Sequence, residues 1–136
     1  EYYFGYTLPQ NDLGCEDWRS RDRSWDFARI ALGFFREHRV PFWEMEAADG
    51  LLRGSPGAGH VLARPGQVYV IYLPNGGSAE LDLQQAEGAF RVGWFDPRSG
   101  GGLLDGPVTT VNGGARAGLG TPPANPGDDW VILVRR

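Results

Sequence analysis

Hydrophobic and polar positions along this chain follow two different rhythms. Over Glu1–Thr7 the alternation is that of an extended strand, with Tyr2, Phe4 and Tyr6 on one side and Glu1, Tyr3 and Gly5 on the other. Pro9, Asn11-Asp12 and Gly14 then mark a loop over Leu8–Asp17, because Pro9 cannot donate to a ladder and the others favour turns. From about Asp17 to His38 the spacing becomes helical: Trp25, Ala28, Leu32 and Phe35 form one apolar stripe, widened by Ala31 and Phe34. That stripe is expected to pack either on the strands that follow or on a missing upstream domain and, if left exposed, to make the isolated chain self-associate. Gly33 weakens the helix by about 1 kcal/mol relative to Ala and therefore suggests close packing at that point. Pro41 ends the run, and Phe42–Glu46 is expected to form a short second helical turn leading to Gly50.

After the segment Gly54–Gly59, the best linker candidate, the rhythm is that of short strands. Gln67–Leu73 is apolar on both faces, as in a central strand. Pro74-Asn75-Gly76-Gly77 has the composition of a hairpin turn. Ser78–Leu83 alternates, with Ala79, Leu81 and Leu83 inward. Ala89–Asp96 places Phe90, Val92 and Trp94 on one face, and Asp96–Gly100 turns the chain. Weaker strand signals occur at Leu103–Leu104, Val108–Val111 and Ala115–Leu119, and Trp130–Val134 closes the series. About seven short strands at this spacing predict a mainly β protein, an antiparallel β-sandwich. Residues 59–136 are expected to be that sandwich. Residues 1–53 form a strand, a loop and a helix, which cannot bury their own faces; they read as the tail of a larger domain whose body lies upstream of Glu1.

Composition narrows the class. With 41% hydrophobic residues, among them five Trp, five Tyr and seven Phe, the chain has enough apolar volume for a true core. Gly at 21 and Pro at 10 agree with many tight turns. The net charge of −4, with both signs interspersed, offers nothing to nucleic acid or an anionic membrane. No apolar run has the length of a transmembrane helix. All 13 basic residues are Arg, which a GC-rich genome explains. A single Cys15 excludes an internal disulfide and a thiolate metal cluster, and no base lies near it to make a nucleophile. His38 and His60 are too isolated to propose a metal site, and no cofactor motif is present. Glu44, Glu46 and Asp49 read as a solvated acidic face.

The densest chemistry lies in Asn11–Trp18 (NDLGCEDW), directly after a strand and before a helix. In a β/α barrel, such loops build the active site. Carboxylates and aromatic platforms are what glycoside hydrolysis and sugar stacking require. Two readings stand. In one, Tyr6, Asn11, Asp12, Glu16 and Trp18 line a sugar cleft. In the other, Asp12, Glu16 or Asp17 caps the helix, whose N-terminus favours acids, and Trp18 is buried. Downstream, Tyr69, Tyr72, Trp94, Phe95 and Trp130 are candidates for an aromatic platform, although at least half must be core.

Three stretches together carry a resemblance: Gly66–Gly77 (GQVYVIYLPNGG), Val92–Gly100 (VGWFDPRSG) and Asp129–Leu133 (DWVIL). They resemble the collagen-binding domain family found at the C-terminus of collagenase-like and apiosidase-like bacterial glycoside hydrolases. Glu1–Asp22 looks like the end of the TIM barrel that precedes this domain in such proteins, which makes residues 1–53 the strand–loop–helix remnant of a β/α barrel. The resemblance implies a secreted or periplasmic bacterial protein acting on carbohydrate, its substrate reached through the upstream barrel. Its catalytic acid and base would sit on strands not in this sequence. It also leaves open a binding module for a polysaccharide or for collagen.

Overall fold

A computed structural model of the chain describes residues 22–54 and 59–136. The expected first strand, its loop and the start of the helix lie outside the described residues. Within them, one α-helix and nine short strands follow in order: α1 (Asp22–Glu37), β1 (Glu46–Ala47), β2 (Leu52–Arg53), β3 (His60–Arg64), β4 (Val68–Leu73), β5 (Glu80–Asp82), β6 (Ala89–Phe95), β7 (Thr110–Asn112), β8 (Arg116–Gly118) and β9 (Trp130–Arg135), with short 3-10 turns at Phe42–Glu44 and Asp49–Leu51. The strands make two antiparallel sheets, one of six strands in the order β1-β3-β4-β9-β6-β7 and one of three in the order β2-β5-β8. The mainly β sandwich is therefore as expected, with two strands contributed from before the Gly54–Gly59 segment: β1 pairs with β3 and β2 with β5.

The inter-sheet core follows from period-2 patterning. Tyr69, Ile71 and Leu73 of β4, Phe90, Val92 and Trp94 of β6, and Trp130, Ile132 and Val134 of β9 point between the sheets, where they meet Leu81 and Leu83. Ala79, Leu81 and Leu83 face inward as the alternation requires. The central strands β4 and β9 are apolar on the other face too, since Val68, Val70 and Leu133 form a second cluster with Phe95, Phe34, Val40 and Met45. That second layer is a helix on the outer face of the six-stranded sheet.

Three local expectations are corrected. Pro74–Gly77 is not a hairpin turn: β4 already has β3 and β9 as neighbours, so the chain leaves it for the other sheet. The helix stripe is rotated. Phe34 is the buried residue of α1, with Ile30 and Phe35 beside it, whereas Trp25 and Leu32 are 61% and 56% exposed. The apolar arc of α1 is wider than one stripe, and the sheet takes only part of it. Gly33 has no close neighbour, because a Cβ there would meet only the Glu37 Oε1 at 3.7 Å.

Candidate functional site

The three stretches that carry the family resemblance converge on one end of the sandwich. β6 delivers Asp96 into the turn Asp96–Gly100, closed by the Gly100 N–H donating to the Asp96 carbonyl at 2.9 Å. Asp96 Oδ1 accepts from the Arg98 backbone N–H at 2.9 Å and from Arg98 Nε at 2.8 Å. The same guanidinium pairs with Asp128 through Nη1, lies 3.6 Å from Asp129 Oδ1 through Nε, and sits 5.4 Å from the Trp130 ring centroid. Arg98 is thus a clamp between the β6 turn and the loop that enters β9.

The turn after β4 docks onto the same loop. Gly77 N–H donates to the Pro126 carbonyl at 2.8 Å. Gly76 has φ +56°, and a Cβ built there would overlap the carbonyl oxygens of Pro126 and Asp128. Only glycine allows this approach. Tyr72 OH, at the end of β4, donates to Asp129 Oδ2 at 3.3 Å.

Electrostatics follow from these bonds. Partial burial works against ionised Asp96, but the bonds from the Arg98 side chain and backbone and from Ser99, with the Arg98 charge, outweigh it and hold the carboxyl at about 2. Arg98 is raised in turn, first by its bond to Asp96. Tyr72 is raised by burial and then by the Asp129 charge and hydrogen bond.

Beside this corner, a groove of ≈ 620 Å³ runs between α1 and the outer sheet face, bounded by Phe27, Phe34, Tyr72, Phe95, Pro97 and Arg98. Its walls are apolar and its polar rim is the Tyr72–Asp129–Arg98 set. The exposed flank of α1 continues toward Phe42 and Trp43, with Phe35 and Phe42 ring centroids 5.6 Å apart and Phe42 and Trp43 5.2 Å apart. Trp43 is 71% exposed.

Of the residues singled out from sequence, Tyr6, Asn11, Asp12, Glu16 and Trp18 lie outside the described residues. The aromatic platform is mostly core: Tyr69, Trp94, Phe95 and Trp130 are buried, and only Tyr72 is exposed. Among the three downstream acids, Asp49 does more than face solvent. Its carboxylate accepts from Val61 N–H at 2.7 Å and lies 3.2 Å from His60 Nδ1, and these bonds lower it below its usual range. Glu44 pairs with Arg64. Among the described residues no group of three His, Cys, Asp or Glu is placed to hold a metal ion, and no helix is long and apolar enough to cross a membrane. The Arg98 clamp was missed as a unit from sequence; the Asp-Pro-Arg turn and the Asp-Asp-Trp stretch are separate signals, and only the fold joins them.

The geometry defines a class of fold, an antiparallel sandwich backed by a helix, and comparison gives the family. Residues 52–135, more than half the chain, match the family described as "Putative collagen-binding domain of a collagenase". The chain belongs to that family. Comparison with curated proteins gave no match. Among solved structures, one described as a glycoside hydrolase is 15% identical with a TM-score of 0.68, covering 97% of this chain and 30% of its own. A glycoside hydrolase family 5 protein from Bacteroides vulgatus ATCC 8482 is 14% identical with a TM-score of 0.71, covering 97% of this chain and 29% of its own. The chain thus spans about 30% of the length of these structures, and the likeness is one of fold.

Proposed function

We propose that this chain is the C-terminal part of a carbohydrate-acting glycoside hydrolase, in which the sandwich is an accessory domain that packs on and supports an upstream barrel. The part of the chain ahead of β1 is then the end of the barrel, and β1, β2 and residues 59–136 make up the accessory domain. The observation that carries the reading is the split apolar surface of α1. Ile30 and Phe34 seal the sandwich, while Trp25 and Leu32 on the other flank, together with Phe42 and Trp43, stay uncovered. Apolar patches of this kind mark interfaces. The Asn11–Trp18 loop becomes the part of this chain nearest a substrate cleft, and a secreted or periplasmic location follows from a glycan substrate outside the cell.

The test is to express the parent protein and assay it on pectic and other plant glycans, then replace Trp25 and Leu32 with Ser in that parent. Activity on a glycan, with a lowered melting temperature of the barrel in the double variant, is the expected result. Inactivity on every glycan removes the enzyme half, and an unchanged melting temperature removes the supporting role.

A second reading, a binding module for polysaccharide or collagen, draws on the family description and on exposed Tyr72 at the groove rim. Pull-down of the chain with insoluble polysaccharides and with collagen tests it; no retention on any of them ends it.

A further inference from the structure

At the opposite end of the six-stranded sheet from the Arg98 clamp, the chain concentrates positive charge against its overall sign. Helix α1 ends in a Schellman motif: Val40 N–H donates to the Phe35 carbonyl at 2.9 Å and Arg39 N–H to the Arg36 carbonyl at 3.1 Å. Buried Val40 packs in the same cluster as Phe35, the apolar contact that accompanies this cap. The residue that must turn left-handed in such a cap is usually Gly or Asn. Here it is Arg39, at φ +50°. A non-glycine residue held there is strained, and strain of that kind concentrates at functional positions.

A second local rule is broken nearby. Arg91 of β6 and Arg135 of β9 are direct cross-strand partners, an unfavourable placement of like charges. Among the described residues Arg91 pairs with Asp105, 3.7 Å away. Arg135 Nη1 donates to the His38 carbonyl at 2.8 Å, which fixes the guanidinium beside the helix end. Between the helix end, the start of β4 and the end of β9 lies a pocket of ≈ 380 Å³ lined by Arg39, Arg135, Arg136, His38 and Gln67, with no carboxylate side chain in its wall. His38 Nε2 is buried without a hydrogen-bond partner among the described residues.

Two departures from local preference, each of which puts an arginine (Arg39 and Arg135) on one pocket, have a common explanation. We infer that this pocket is an anion site that takes the carboxylate of an acidic saccharide, gripped by Arg39 and Arg135, with Gln67 available to a ring hydroxyl. Arg guanidinium groups bind carboxylates bidentately, which selects a planar anion. The net charge of −4 argues against nucleic acid as the source of that anion. The anion site stands on the geometry alone; the choice of a saccharide to carry it rests on the proposed function.

The test follows the His38 ring and Arg39 Nε signals by NMR. The whole chain is titrated with an oligogalacturonate, a neutral galacto-oligosaccharide and polyglutamate at matched ionic strength. The expected result is a saturable shift with oligogalacturonate alone, competed by inorganic sulfate. Arg39→Gly should weaken that binding at least tenfold while leaving the melting temperature equal or higher, because glycine relieves the cap. Arg135→Gln should weaken it as well. Equal binding of the neutral sugar, undiminished binding by Arg39→Gly, or no binding of any anion overturns the site. Binding of polyglutamate in place of oligogalacturonate overturns the saccharide. None of these readouts needs hydrolysis, so an inactive parent would remove the proposed function and leave the anion site standing.

Discussion

The two faces of the six-stranded sheet are finished to different standards. The inner face is closed by the second sheet, and its largest residues, Trp94, Trp130 and Phe90, are at most 1% exposed. The outer face is apolar in its centre but is covered by a single helix, which leaves a groove of ≈ 620 Å³ along one side and an uncovered apolar flank on its far side. A face completed by the chain's own residues is a folding core; a face that leaves large aromatic residues in water is one for which completion comes from elsewhere. The inner face thus accounts for why the sandwich holds together, and the outer face is where the proposed packing on an upstream barrel would act.

The largest expected effect separates the two faces. Trp94→Ala empties a fully buried site and should cost about 3–5 kcal/mol, read as a shift in urea midpoint. Trp43→Ser removes an indole of the same size from the exposed flank and should change stability by no more than about 0.5 kcal/mol. It should instead reduce concentration-dependent self-association of the isolated chain, checked by sedimentation. Equal costs at the two sites, or a strictly monomeric unsubstituted isolated chain at high concentration, would break the comparison.

At the clamp that ties the sheet ends together, glycine geometry and charge can be separated. Gly76→Ala must give up both the left-handed backbone and the contact with the Pro126 and Asp128 carbonyls, so a loss of at least about 2 kcal/mol is expected. Asp96 sharpens the electrostatic side. Its folded value is about 2, against 3.8 as the ordinary value, so the folded state binds its proton less readily. The contribution is therefore fully present above pH 4, and is lost as pH falls through about 2. At 1.36 kcal/mol per unit its upper bound is about 2 kcal/mol. Asp96→Asn should lower the urea midpoint at pH 7 and flatten the acid limb; equal stability of the two proteins at pH 7 would exclude the clamp as a stabilising device.

Much of the fold was legible because period-2 alternation reports burial directly. Ala79, Leu81 and Leu83, and Phe90, Val92 and Trp94, face the inter-sheet core as their spacing requires. What escaped was set by pairing partners that lie far along the chain. The two-residue strands Glu46–Ala47 and Leu52–Arg53 are too short to carry a period and exist because β3 and β5 offer open edges. His60–Arg64 does alternate, through Val61 and Ala63, but it follows a glycine-rich segment that drew the eye to a linker. Pro74–Gly77 has hairpin composition, yet which strands it joins depends on β9, more than fifty residues on. The candidate corner is the same case: Asp96, Arg98 and Asp128 become one cluster only once β6 and β9 are neighbours. The loop Asn11–Trp18 lies outside the described residues, so its chemistry stays a reading of sequence.

The smallest effect expected concerns the helix that joins the two faces, and it runs in the stabilising direction. Gly33 was read from sequence as a point of close approach, in which case any side chain there would clash. In the structure it lies on α1 between the face that seals the sheet and the charged face, where a Cβ would touch only the mobile end of Glu37. Nothing then offsets the entropic cost of glycine in a helix interior. Gly33→Ala should raise stability by about 0.5–1 kcal/mol, with the groove and the anion pocket unchanged. A gain in the isolated chain confirms that α1 meets the sheet through Ile30, Phe34 and Phe35 with nothing packed on Gly33. A gain in the isolated chain that turns to a loss in the parent protein would place an upstream surface directly against Gly33, and would fix on which side of the helix the outer face is completed.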